Sequence, residues 1–308
     1  MSGSSTPDRV FIGGTGRCGT HALASVLGNH AHYRRIHTEL RFHADPDGLP
    51  GLLEGEVELL GFLEELRGRW WKRTSSQGRP TGFFQRLPEE IFNAAVAEFE
   101  RSFPEDRWGA SSKLVHDLLD PIARLAKKPG WVEMTKRTIY AGPVLQKLVP
   151  DAKFIHIIRN GRDVAASVAT QAWGVDNFDD ALDWWEERVE SSERGAAGVE
   201  PDRMLHLSFD GFVATDRERS YDRLVRFIGS TGFRGRRRAR EMQRYYEEEI
   251  GGPKANRDRW RRDLSQADQD RVNERYVGAL RRLISANTPG RSIFEGFLAS
   301  VESPAVPV

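Results

Sequence analysis

The chain has 308 residues, with 46 Lys and Arg against 45 Asp and Glu for a net charge of +1, and one cysteine, Cys18. Near-neutral charge gives no broad electrostatic case for nucleic acid or membrane binding, and a single cysteine excludes an intramolecular disulfide. With no apolar run of about 18 residues and a polar N-terminus without a signal peptide, a soluble cytoplasmic protein is expected: a flexible lead over residues 1–7, then a single domain over 8–308.

The first predicted element is a strand at Val10-Phe11-Ile12, followed by a glycine loop and a helix from Ala22 to Leu27. Strand, glycine loop and helix together hold a phosphate on free backbone N–H groups. Gly14, Thr15, Gly16, Arg17, Cys18, Gly19, Thr20 and His21 are therefore candidate nucleotide-binding residues. Two sites fit the same letters. Gly14, Gly16 and Gly19 satisfy the dinucleotide pattern G-x-G-x-x-G, with Glu39 twenty residues on, where an acidic group can hold a ribose. Gly14 and Gly19 also satisfy the P-loop spacing, but Thr20-His21 stand where a nucleoside-triphosphate site needs Lys and a magnesium-binding hydroxyl. That departure argues against an ATPase or kinase. Arg17 gains little in a dinucleotide loop, yet suits a bound group whose charge changes during reaction. Cys18 at a helix N-terminus is either a redox-sensitive thiol or a space-filler.

The dinucleotide alternative, an NAD(P)-dependent reductase or epimerase, lacks its proton-transfer pair: none of the six tyrosines has Lys four positions later. Residues 33–38 are also too polar for a buried second strand. A non-catalytic nucleotide-binding protein on the same scaffold is a third reading. Residues 55–66 and 88–103 carry helical spacing, with Ile91, Ala95 and Phe99 on one face. Between them, residues 68–86 are basic and aromatic without an acidic residue; they read either as a mobile acceptor-binding lid or as a loop anchored by buried tryptophan. Phe154-Ile155 and Ile157-Ile158 form a nearly continuous apolar run, as in a parallel strand buried on both faces. Arg159 ends it, Asn160-Gly161 turn the chain, and Asp163 opens a helix that places Ser167 one turn later. Arg159 and Ser167 can thus converge on one anion, unless Arg159 merely pairs with Asp163. Residues 178–195 predict an acidic helix with Ala181, Leu182, Trp185 and Val189 inward, Trp184 extending that face. Arg234 to Arg244 reads as a solvated basic helix face.

The glycine loop with its Arg17, combined with Arg159 and Ser167 eight positions apart, resembles the sulfotransferases that use 3′-phosphoadenosine 5′-phosphosulfate (PAPS). Trp131 to Thr135, Leu205 to Asp210, and Arg259-Trp260-Arg261 add looser similarity. The resemblance implies an α/β fold in three layers, with a central parallel sheet, a P-loop-like nucleotide site and helical insertions, residues 45–112 among them on the acceptor side. It implies that the loop binds the 5′-phosphosulfate, that Arg159 and Ser167 bind the 3′-phosphate, and that Arg259 and Arg261 assist. An arginine at position 17 is similar to the branch that sulfates tyrosines, carbohydrates and bacterial glycolipids. That branch carries a catalytic glutamate where Glu39 stands, with His37 and His43 as nearby substitutes. Lys136 follows Thr135, whereas the family places its lysine before the threonine, at Met134. The expected reaction passes a sulfuryl group to a hydroxyl of a carbohydrate, glycolipid or other small metabolite, releases 3′,5′-ADP, and calls for no metal.

Overall fold

The computed structural model describes residues 8–75, 78–175, 177–251 and 257–302; the lead expected over residues 1–7 lies outside them. The chain begins with β1 (Arg9–Gly13), α1 (Thr20–Gly28) and β2 (Tyr33–Arg35). Next come α2 (Leu49–Glu54), α3 (Leu59–Glu65), a hairpin of β3 (Arg73–Thr74) and β4 (Pro80–Thr81), and the helices α4 (Glu89–Ser102) and α5 (Arg107–Leu125). Then follow β5 (Gly130–Glu133), α6 (Gly142–Leu148), β6 (Lys153–Ile158), α7 (Gly161–Val168), α8 (Phe178–Ala197) and β7 (Met204–Ser208). Helices α9 (Arg217–Phe227), α10 (Gly232–Glu249), α11 (Arg259–Asp263), α12 (Gln266–Ser285) and α13 (Arg291–Glu302) close the described chain.

The main sheet has the order β2-β5-β1-β6-β7 with every pairing parallel. Successive strand residues point to opposite faces, so each strand feeds two layers. Phe11, Trp131 and Phe154 pack against α4, α5 and α6 through Phe99, Leu118 and Leu145. Val10, Ile12, Ile155 and Ile157 pack against α1 and α10 through Leu23, Leu27 and Met242. β1 lies between two strands reached by crossovers in opposite directions. The crevice beyond its carboxyl end is therefore the switch point where open α/β sheets bind ligands.

Several local expectations are corrected. Tyr33–Arg35 does form a strand despite its polarity, because an edge strand pairs on one side only, here with β5. The helix expected over residues 55–66 starts later: Gly55, at φ 83°, ends α2, and α3 begins only at Leu59. The insertion expected over 45–112 runs into α5, but α5 is the crossover between β2 and β5, its Leu114 and Leu118 sharing a core with Trp131. Among the described residues, no helix is long and apolar enough to cross a membrane.

Candidate active site

After β1 the backbone turns sharply through three left-handed residues, Gly16 (φ 88°), Arg17 (φ 57°) and Gly19 (φ 101°). A Cβ on Gly14 would lie 2.5 Å from the Ile157 carbonyl oxygen, and one on Gly19 would lie 2.2 Å from the Phe209 ring. Glycine is needed there because the ends of β6 and β7 press directly on the loop. Arg17 is the exception, a side chain in a conformation that is costly for L-residues. It is held from two sides: its Nε donates to Ser167 Oγ at 2.9 Å, and its carbonyl accepts from Arg159 at 3.1 Å. The Cys18 side chain is buried and burial pushes its thiol pKa up, so it fills space rather than acting as a reactive thiolate.

Arg159 leaves the end of β6 with only 8% exposure, its guanidinium 4.9 Å from the centre of the Phe209 ring and 3.7 Å from Asp163. The pairing with Asp163 and the approach to the loop thus coexist. Asn160 caps α7 by accepting from the Arg162 N–H, while its own N–H donates to Asp210. Asp163 accepts from the Asp258 N–H at 3.0 Å, which docks the start of α11 against α7. That docking brings Arg259 to Thr170, 3.3 Å away, and within electrostatic reach of the loop. The Arg17 guanidinium has its pKa pulled down by burial, and further by the positive charges of Arg159 and Arg259. Three guanidiniums drawn together beside a helix N-terminus and a serine hydroxyl suit a ligand with more than one anionic group. Arg261 takes another direction. It lies over the Trp260 ring and lines a 480 Å³ cavity with Asn160 and Asp210, a cavity whose described lining includes none of residues 14–19.

Across the loop stand Glu39 and Lys136. Burial raises the Glu39 carboxyl pKa and the Lys136 charge partly offsets this; burial in turn lowers the Lys136 pKa, with Glu39 opposing. A Cβ on Gly16 would lie 3.4 Å from Lys136 Cδ, so the lysine stem passes over the loop. Although it stands two residues beyond the family position at Met134, its stem still reaches the loop.

The two are held in place by a residue that the sequence left without a role. Glu133, fully buried, accepts from Thr135 N at 2.8 Å and Thr135 Oγ1 at 2.6 Å. It also meets the Leu40 N–H at 3.5 Å and His43 Nε2 at 3.1 Å. Thr135 Oγ1 in turn accepts from the Arg41 N–H. One carboxylate therefore fixes the backbone after Glu39 and the backbone before Lys136. The available signal was a charged residue inside the apolar strand Trp131-Val132-Glu133-Met134. His43 is spent on this contact, buried between Phe11 and Phe42, and is withdrawn as a candidate base. His37 lines a separate 260 Å³ cleft with Tyr33, Lys128 and Tyr245.

Trp70 and Phe83 of the basic aromatic segment are core residues, so the anchored-loop reading holds for them. Its Arg73 donates to the Glu39 carbonyl and its Arg86 to Thr38, so the hairpin covers the Glu39 segment. The Ser/Gly/Pro-rich tip includes residues 76 and 77, outside the described residues. Trp184 of α8 reaches the glycine loop as well as packing at the edge of its core, its Cη2 3.9 Å from where a Gly16 Cβ would stand.

A sulfotransferase family model matches residues 7–234. The chain belongs to the sulfotransferase family. This sulfotransferase is 22% identical over 216 residues to a protein-tyrosine sulfotransferase of Drosophila melanogaster, a match covering 68% of the chain and 36% of that protein. It thus spans about a third of the relative's length. Its fold is similar to the sulfotransferase domain of the Synechococcus olefin synthase (TM-score 0.46, 18% identity, 83% of this chain and 88% of that one). It is also similar to a sulfotransferase from Mycobacterium avium (TM-score 0.45, 12% identity, 80% and 69%). Family membership removes the reductase and epimerase alternative. Glu39 also lies four residues past the end of β2 and beside Lys136, away from the strand end where a dinucleotide ribose is held.

Proposed function

We propose that this sulfotransferase takes PAPS as donor, passes its sulfuryl group to an acceptor hydroxyl and releases 3′,5′-ADP. The observation that carries this reading is the meeting of Arg17, Arg159 and Arg259 with Ser167 at one glycine loop. PAPS offers two anionic groups, and the set divides accordingly: the loop amides and Arg17 for the 5′-phosphosulfate, Arg159 and Ser167 for the 3′-phosphate.

In the reaction, the acceptor oxygen forms a bond to sulfur as the bond from sulfur to the 5′-phosphate oxygen breaks. Glu39 takes the acceptor proton, a role suited by a carboxyl whose pKa is raised by burial. Arg17 and Lys136 stabilise charge building on the transferred group and on the leaving phosphate. The chain's contribution is chiefly positioning and fixed positive charge, as in phosphoryl transfer through a loose transition state.

For the acceptor we infer a small hydroxylated compound, a carbohydrate or glycolipid among them. A protein tyrosine is the second reading, favoured by the name of the Drosophila relative. A thermal-shift panel of 3′,5′-ADP, NAD and ATP tests the donor. At about a hundred times its dissociation constant, 3′,5′-ADP should stabilise the protein by roughly 2.7 kcal/mol. Stabilisation by NAD or ATP without 3′,5′-ADP would refute it.

A further inference from the structure

Beside Gly16 of the loop, where Lys136 and Trp184 approach it, stands an aromatic and cationic wall that the transfer chemistry does not account for. Trp173 is 48% exposed, and its ring centre lies 6.4 Å from that of Trp184. Lys136 Nζ lies 5.6 Å from the Trp173 ring centre, and the Arg188 guanidinium lies 4.2 Å from that of Trp184. Arg137 adds a third cation, 5.7 Å from the ring centre of Tyr140.

Lys136 faces Glu39, but neither Arg137 nor Arg188 forms an ion pair among the described residues. Arg41 and Arg69, by contrast, are matched, the first with Asp45 at 2.7 Å and the second with Glu65 and Asp47. The charge of Arg137 and Arg188, set on rings and, for Arg188, beside the Tyr140 hydroxyl, has no carboxylate partner among the described residues and is held ready for a ligand's anion. An exposed indole at the same wall offers a face for a flat ring or the apolar face of a sugar.

We propose that the acceptor is itself an anion: a hydroxylated ring that stacks on Trp173 while its carboxylate, sulfate or phosphate meets Arg188, with Arg137 adding to the field. The inference rests on the sulfuryl-transfer reading of the adjoining loop and narrows its acceptor. A neutral sugar or phenol leaves Arg188 unanswered, whereas an acid on the same ring both binds and orients its hydroxyl toward Glu39.

The test compares matched acceptors with PAPS as donor: hydroxyphenylpropionate against its methyl ester, and methyl glucuronide against methyl glucoside. One charge-assisted hydrogen bond is worth roughly a ten- to hundredfold preference in kcat/KM for the acid. The pair showing it tells phenol from sugar. Arg188→Gln should shrink that preference to within about twofold, and Trp173→Ala should raise KM for acid and ester together. Quenching of tryptophan fluorescence in the protein loaded with 3′,5′-ADP gives a binding readout independent of turnover, expected for the acids and lost in Trp173→Ala. Acid and ester acting alike in both pairs, an acid preference that survives Arg188→Gln, or no quenching by either acid overturns the proposal. If 3′,5′-ADP itself fails to bind, the donor reading fails instead, so the two failures are distinguishable.

Discussion

Glu133→Gln is the substitution in which the buried carboxylate's role can be worked out most fully. The carboxylate takes two donors on each oxygen: Thr135 Oγ1 and Leu40 N on one, Thr135 N and His43 Nε2 on the other. An amide keeps one oxygen and turns the other end into a donor. Its best orientation places the NH₂ toward Thr135 Oγ1, whose hydroxyl can rotate to accept, and leaves the buried Leu40 N–H facing another donor. The variant loses the charge assistance to His43, about 1 kcal/mol, and strands one backbone N–H, about 1–3 kcal/mol. A destabilisation of about 2–4 kcal/mol corresponds to a melting temperature lower by roughly 5–10 °C for a chain of this size. The same change loosens Glu39 against Lys136, and misplacement of about 1 Å costs up to a hundredfold in rate. Thermal melting and transfer of radiolabelled sulfate from PAPS measure the two effects, with 3′,5′-ADP affinity expected within about threefold of wild type. An unchanged melting temperature together with an unchanged rate would refute the positioning role.

Two further outcomes follow from the same geometry. Glu39 must be ionised to accept a proton and its pKa is raised by burial, so turnover should climb with pH through a midpoint above the usual carboxylate range. Lys136→Met removes the charge that favours the ionised form and should move that limb to higher pH; a shift to lower pH would contradict the pairing. Gly19→Ala combines a left-handed backbone with a Cβ driven into Phe209, so melting should fall by several degrees and 3′,5′-ADP binding should weaken. Wild-type behaviour would mean that the loop is not held as described.

The glycine loop and the groups beside it were legible in the sequence because their signals are local: glycines between a strand and a helix, and an arginine and serine eight positions apart beyond an apolar run. The sheet followed from the same runs. What the sequence hid depends on contacts across the fold. Glu133 and His43 lie 90 positions apart, and their hydrogen bond decides that His43 is structural. Lys136 stands off the family register in sequence, yet its long stem crosses Gly16. Arg259 and Arg261 read alike in sequence, but the short helix α11 turns one toward Thr170 and the other toward a separate cavity. β2 was underrated because edge pairing relaxes the demand for apolar residues.

The central claim is that Arg17, Arg159 and Ser167 form one site that senses a 3′-phosphate. Isothermal titration of 3′,5′-ADP and of 5′-AMP, into wild type and into Arg159→Ala, tests it most directly. The account predicts that wild type binds 3′,5′-ADP roughly a hundredfold or more tighter than 5′-AMP, and that Arg159→Ala removes most of this difference while changing 5′-AMP little. Equal affinities in wild type, or an equal loss for both nucleotides in the variant, would contradict it.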